Sequence, residues 1–138
     1  MELSFNLESL ESNDINPELM NPLVWAYIGD AVYELYVRTN LVAQAPSKVN
    51  QLHCRSIQYV RASAQADFVR KITENLSEDE IRIMKKGRNT KSTVPKNADV
   101  ADYRYSTGLE SLLGYLYLQN KKERLMEILN MLDLKKEV

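Results

Sequence analysis

Two acidic residues stand in the most apolar company the chain offers. Asp30 sits inside WAYIGDAVYELY, residues 25–36, and Glu110 inside STGLESLLGYLYL, residues 106–118. Each has glycine close by: Gly29 beside Asp30, and Gly108 and Gly114 on either side of Glu110. Glycine in a helix costs about 1 kcal/mol against alanine. An ionised carboxylate among apolar side chains is expensive unless a cation, several donors or a metal compensates it. Glycine also lets a second backbone come close. Two apolar helices, each with one acid and nearby glycine, could therefore cross tightly and aim both acids at one point. Like charges so placed disfavour each other unless a cation lies between them. With one histidine, His53, and one cysteine, Cys54, in the whole chain, such a site has only oxygen ligands to offer, which points to Mg²⁺ or Mn²⁺. An arginine from elsewhere could satisfy Asp30 instead, and Glu34 with Arg38 has the i, i+4 spacing of a plain surface pair. Spacing alone leaves both readings open.

The same counts exclude several function classes. One histidine and one cysteine cannot build a zinc site, an internal disulfide or the ligand set of a histidine–aspartate phosphohydrolase. No apolar run approaches the roughly 20 residues needed to span a bilayer. The opening MELSFNLESLES is acidic, unlike a secretory signal. We therefore expect a cytoplasmic protein with no membrane association. At 138 residues, 44% hydrophobic and 27% charged, the chain suits a single domain over residues 1–138, with a core of about 21–134 and an acidic segment 1–18. Its net charge of −1 is unevenly spread. Glu2, Glu8, Glu11, Asp14 and Glu18 crowd the first eighteen positions, whereas KKGRNTKSTVPK, residues 85–96, carries Lys85, Lys86, Arg88, Lys91 and Lys96 with no acid. That basic stretch is a candidate anion-binding surface.

Helix signals dominate the rest. Asn21-Pro22 reads as an N-cap with proline at the first helical position, opening a helix to about Arg38. Further helices are expected from Pro46-Ser47 to about Val60, from about Ser63 to Glu74, and from the capping box Ser77–Glu80 to a stop at Gly87. Ser106 or Thr107 could cap a helix to Leu118, and Asn120 another to about Leu134. No alternating β pattern occurs, so the fold class is all-α. Gly87 to Asn97 reads as an exposed polar loop.

The two acidic stretches resemble a known family. Tyr27-Ile28-Gly29-Asp30-Ala31-Val32 is similar to the signature helix of the ribonuclease III catalytic domain, Glu-Phe-Leu-Gly-Asp-Ser/Ala-Val/Ile. Thr107-Gly108-Leu109-Glu110-Ser111-Leu112 resembles that family's second acidic motif, Asp-x-x-Glu-Ala-Leu. AYIGDAVYELYVR, the loop GRN…K…VPKNADV and YRYSTGLESLLGYLYL together resemble the Mini-III ribonucleases, short relatives made of the catalytic domain alone. The likeness runs from about Leu23 to Leu118, with the motifs in order.

The resemblance implies a ribonuclease III endonuclease-like helical fold and a metal-dependent endoribonuclease that cleaves double-stranded RNA. Asp30 and Glu110 fall on the family's metal-ligating catalytic acids. Two further acids of the larger enzymes are replaced, by Ala26 and by Thr107, so water and substrate oxygens would complete the shell around Mg²⁺ or Mn²⁺. By the same resemblance the chain is expected to be the catalytic domain alone, without the double-stranded RNA-binding domain of the larger enzymes. Duplex RNA, which offers shape, phosphates and 2′-hydroxyls rather than base edges, is then expected to meet Lys85, Lys86, Arg88, Asn89, Lys91 and Lys96. The family further implies a homodimer with two sites for two strands, trimming of a paired stem in the large-subunit (23S) ribosomal RNA precursor, and help from a large-subunit ribosomal protein. Two rivals remain at this level: a non-catalytic helical module that binds double-stranded RNA, and a helical interaction protein whose acids are structural.

Overall fold

The computed structural model describes residues 16–134, and residues 1–15 of the expected acidic segment lie outside it. Among the described residues there are six α-helices, α1 (Pro22–Gln44), α2 (Val49–Val60), α3 (Ala62–Ile72), α4 (Glu78–Asn89), α5 (Val100–Leu118) and α6 (Lys122–Leu129), with short 3₁₀ turns at Pro17–Leu19 and Thr73–Asn75, and no strand. No helix among them is long and apolar enough to cross a membrane.

Local chemistry explains most of the boundaries. The Asn21 side chain accepts a hydrogen bond from the Leu23 amide at 2.9 Å, and Pro22 opens α1. Nothing between Arg38 and Gln44 breaks a helix, so α1 runs past its expected end until Ala45, which Pro46 holds extended at φ −167°. The Ser77–Glu80 capping box forms as expected: Ser77 Oγ accepts from the Glu80 amide at 3.1 Å, and Glu80 Oε1 from the Ser77 amide at 2.9 Å.

Other expected boundaries move too, and the last helix ends at Leu129 rather than at about Leu134. Gly87 does not stop α4; it lies inside the helix, buried against Ser111 of α5. Ser106 and Thr107 do not start α5, which begins after Asp99, whose side chain accepts from the Asp102 amide at 2.9 Å. Both hydroxyls are buried mid-helix and donate back to the Tyr103 carbonyl, at 2.7 and 3.0 Å. Asn120 does not open α6 but closes α5. At φ 60° it is the left-handed residue of a Schellman motif, with the Lys121 amide donating to Leu116 O at 2.9 Å and the Asn120 amide to Tyr117 O at 3.0 Å.

Helix α5 is the axle of the fold, with α1, α3, α4 and α6 packed around it. Residues Ser106 to Leu116 are buried on nearly every side, Glu110 being the half-buried exception. The core joins Trp25, Tyr33 and Leu41 of α1 to Leu109, Leu112 and Leu113 of α5, and Leu125, Ile128 and Leu129 of α6 close one end. Trp25 packs edge-on against Tyr115, ring centroids 5.0 Å apart, and its indole N–H donates to Pro17 O at 2.8 Å. An ionic clasp ties α6 to α4: Arg124 donates to both Glu80 oxygens at 2.8 and 2.9 Å and to Asn75 O at 2.7 Å.

All four glycines of the chain are spent where a helix meets α5. At the α1–α5 crossing a Cβ on Gly29 would fall inside the Glu110 carbonyl, and one on Gly114 inside the Trp25 carbonyl. The two backbones therefore touch there, closer than any side-chain-bearing residue permits.

Candidate active site

That crossing is what brings the two acids together. Gly29 rests on the peptide of Glu110, so Asp30, the next residue of α1, emerges beside the Glu110 side chain of α5. The two carboxyls are near enough that the charge of Asp30 acts on Glu110. The helix-breaking residue and the charge in WAYIGDAVYELY thus have one explanation: the first makes room for the contact that gives the second its neighbour.

One expectation needs correcting. Asp30 is not an interior residue; it is exposed, while Glu110 is half-buried. α1 is apolar almost all round, yet it is not buried all round. Val24, Tyr27 and Leu35, 45%, 79% and 40% exposed, share the open face with Asp30. Glu34 and Arg38 form the expected surface pair at 3.6 Å.

The pair is electrostatically frustrated. The Glu110 carboxyl is pushed up to about 8 from its ordinary 4.5, first by burial and next by the charge of Asp30 and the hydrogen bond between the two. Glu34 adds to the rise, and the amide of Gln65 opposes it. Near neutral pH the Glu110 carboxyl therefore keeps its proton, and a divalent cation could take that proton's place. Hard oxygen donors, one carboxyl open to solvent, and mutual repulsion that a cation would relieve all fit Mg²⁺ or Mn²⁺. The set is sparse: among the described residues no group of three or more acids, histidines or thiols could hold a metal ion. Ala26 is packed in the core, and the Thr107 hydroxyl is committed to Tyr103 O at 3.0 Å.

The surroundings of the pair are tied down. Tyr33, buried one turn beyond Asp30, donates its hydroxyl to Tyr59 O at 2.8 Å. Its phenol is held protonated by burial, with the neighbouring Tyr59 and Glu110 adding to the effect. Gln65 of α3, buried and opposing the rise of the Glu110 carboxyl, is a neighbour of the site that the sequence alone does not single out. A signal existed: Gln65 occupies the first position of the stripe completed by Phe68, Val69 and Ile72, where an apolar residue belongs. His53 lines a separate pocket with Arg38, Leu41 and Val42. Arg38 lies two turns along α1 from Asp30, about 12 Å of helix.

The six basic and polar candidates do not form one loop. Lys85, Lys86, Arg88 and Asn89 belong to α4, while Lys91 and Lys96 stand exposed in the segment joining α4 to α5. Lys85, Lys86 and Asn89 line an open groove of about 620 Å³ with Pro22, Arg82 and Thr90. Arg82 is already engaged, by Glu18 at 2.7 Å and Asp79 at 2.6 Å. Arg88 is half-buried, its guanidinium 5.4 Å from the Tyr105 ring centre, with Arg70 at 4.5 Å from the same ring.

Comparison with known proteins gives a consistent result. The family model described as the ribonuclease III domain matches residues 23–121. Mini-ribonuclease 3 of Clostridium tetani is 54% identical over 114 residues, covering 81% of this chain and 76% of that protein. Mini-ribonuclease 3 of Staphylococcus aureus is 43% identical over 127 residues, covering 90% of this chain and 93% of that protein. The crystal structure of protein FN1578 from Fusobacterium nucleatum superposes with a TM-score of 0.75 at 31% identity, covering 82% of this chain and 91% of that one.

Proposed function

The chain belongs to the ribonuclease III family, among its Mini-ribonuclease 3 members, and we propose that Asp30 and Glu110 are the acids with which it cuts double-stranded RNA. It is an endoribonuclease, which sets aside the non-catalytic rivals. The observation that carries the assignment of these residues is the Gly29–Glu110 backbone contact, which sets the two carboxyls side by side. Held by Asp30 and Glu110, Mg²⁺ or Mn²⁺ would supply Lewis-acid activation of a phosphodiester and of its attacking water. Asp30 would hold the cation from the exposed side, facing the substrate, and Glu110 from the half-buried side behind it. Tyr33, with its proton fixed on Tyr59 O, takes no part in proton transfer.

The proposed duplex surface is Lys85, Lys86, Arg88, Asn89, Lys91 and Lys96. These are donors to phosphate and sugar oxygens, suited to A-form RNA with its hidden base edges. Lys85 and Lys86 are exposed along the groove. We further propose a homodimer, supported by the apolar stripe of Val24, Tyr27 and Leu35 on the open side of α1. A two-fold contact there would use one patch on both copies and would draw two Asp30 carboxyls toward a shared duplex. By likeness to the family alone, the natural setting we propose is a cytoplasmic one. There the chain would mature a paired stem of the large-subunit (23S) ribosomal RNA precursor with help from a large-subunit ribosomal protein, acting as one domain.

The testing experiment incubates the protein with an RNA duplex and with its separated strands, each with Mg²⁺ and with chelator. Cleavage confined to the duplex and to Mg²⁺ or Mn²⁺ supports the proposal. Cleavage that survives chelation, or that prefers single strands, contradicts it.

A further inference from the structure

We propose that the acidic N-terminal segment is a built-in rival of duplex RNA: with Glu18 seated on Arg82, the carboxylates of Glu2, Glu8, Glu11 and Asp14 occupy the α4 groove at Lys85 and Lys86, the place of backbone phosphates. The inference rests on the reading of Lys85 and Lys86 as duplex-binding residues.

One carboxylate of the segment is already on the groove. Glu18 meets the Arg82 guanidinium at 2.7 Å and accepts from the Tyr115 hydroxyl of α5 at 2.8 Å. A guanidinium and a hydroxyl converging on one anion are donors of the kind that take phosphate, and here a side chain of the protein fills them. The two bonds hold the Glu18 carboxyl down at about 2 from an ordinary 4.5, and the charges of Arg82 and Lys86 add to the effect. Arg82 lines the groove together with Lys85 and Lys86.

This anchor leaves the lysines for other acids. Arg82 is engaged by Glu18 and by Asp79, whereas Lys85 and Lys86 are exposed and form no ion pair among the described residues. Glu78, on the first turn of α4, also lines the groove, but Lys85 and Lys86 lie about two turns further along the helix. Asn16, two residues before Glu18, is the first described residue, so the rest of the chain starts at the rim of the groove. Residues 1–15 carry four acids and no lysine or arginine. Asp14 is separated from Glu18 by at most about 14 Å of chain, and Lys86 stands about 6 Å beyond Arg82 along α4. Glu11, Glu8 and Glu2 have progressively longer reach. An exposed ion pair is weak alone, but a carboxylate tethered this closely acts at an effective concentration on the order of millimolar. A groove closed about nine-tenths of the time raises the apparent Kd for RNA about 10-fold.

The test uses the full chain as wild type and as the combined variant Glu2→Gln/Glu8→Gln/Glu11→Gln/Asp14→Asn, each with and without Lys85→Ala/Lys86→Ala, and keeps Glu18 in place. Two quantities are read in chelator. One is the Kd for an RNA duplex over a salt series; the other, without RNA, is the rate at which an acylating reagent labels Lys85 and Lys86, followed by mass spectrometry. We expect the neutralised chain to bind duplex about 10-fold more tightly at low salt, the gain fading as salt screens the charges. Both lysines should be labelled faster in it, and the gain in binding should vanish when they are alanine. Equal labelling rates, or equal Kd values in wild type and the neutralised chain, overturn the proposal. So does a gain that persists undiminished without the lysines, since that is long-range repulsion by net charge and not a seated segment. In the neutralised chain, lysine replacement that leaves the Kd unchanged overturns the duplex-surface reading beneath it, a distinct result.

Discussion

Gly29 and Gly114 face each other across the α1–α5 crossing, so closely that a Cβ on Gly114 would stand 2.9 Å from the Gly29 nitrogen. The obstacles are backbone atoms, which cannot rotate aside. This contact fixes the separation of two helices and, through it, the distance between a carboxyl on each. Fold stability and active-site geometry thus depend on the same missing side chains.

Alanine at Gly29 separates the two effects of glycine. Helix propensity alone favours the substitution by about 1 kcal/mol. The clash with the Glu110 carbonyl opposes it, and overpacking costs about 1–3 kcal/mol or more where nothing can yield. We expect Gly29→Ala to lower stability in urea unfolding, and the folded fraction to cleave far more slowly because α1 has been pushed off α5. A variant as stable and as active as wild type would show that the backbones do not touch.

Replacing Glu110 with glutamine should divide activity from stability. In the folded chain Glu110 keeps its proton up to about pH 8, against an ordinary 4.5. Its contribution is therefore complete below about pH 4.5, where both states are protonated, and is lost as pH rises through about 8. Glutamine is neutral throughout. In thermal melts without metal, Glu110→Gln should match or exceed wild type above about pH 8, with the gap closing toward pH 4.5, while cleavage falls by orders of magnitude. A variant less stable at high pH than at low, relative to wild type, would reverse the sign and refute the reading.

The clasp between α4 and α6 offers a contrast of ion pairs. Glu80 and Arg124 are 11% and 28% exposed and share two short hydrogen bonds, and the same guanidinium holds Asn75 O. Arg124→Ala leaves a largely buried carboxylate and a carbonyl without their donor. We expect a loss of about 2 kcal/mol or more in denaturant titration. Arg38→Ala removes the exposed 3.6 Å pair with Glu34 and should change stability by less than about 0.5 kcal/mol. Equal losses would contradict the difference in burial.

If Lys85 and Lys86 bind phosphate, duplex binding must release the counterions of the phosphates they neutralise. Binding measured in Ca²⁺ or chelator over a range of salt should give a steeper salt dependence for wild type than for Lys85→Ala/Lys86→Ala. The difference in log–log slope should be roughly 1 for each phosphate that no longer meets a lysine. An unchanged slope would remove both lysines from the interface.

Much of this was legible in the residues because each acid contradicts its surroundings. Asp30 and Glu110 stand among apolar neighbours with glycine near them, and the capping box at Ser77 announces α4. Other features depended on competition that a local pattern does not record. Ser106 and Thr107 are good caps, but they return their hydroxyls to Tyr103 O and leave the cap to Asp99. Asn120 can begin a helix or end one, and the left-handed backbone settles it as an end. Gly87 reads as a stop, yet the space its missing side chain leaves is filled by Ser111. The exposure of Asp30 was hidden because an apolar stripe reads the same whether it meets the core or stays uncovered, as Val24, Tyr27 and Leu35 partly do. Gln65 is inconspicuous as one polar residue in an apolar stripe until its neighbour across the bundle is known.

The most direct measurement of the central claim compares wild type and Asp30→Asn on duplex RNA with Mg²⁺, with circular dichroism confirming that both are folded. Asp30 is exposed, so its amide should cost the fold little. We expect the variant to keep its melting temperature and lose cleavage by orders of magnitude. A folded Asp30→Asn protein that cuts duplex RNA at the wild-type rate would contradict the claim that the Asp30–Glu110 pair performs the chemistry.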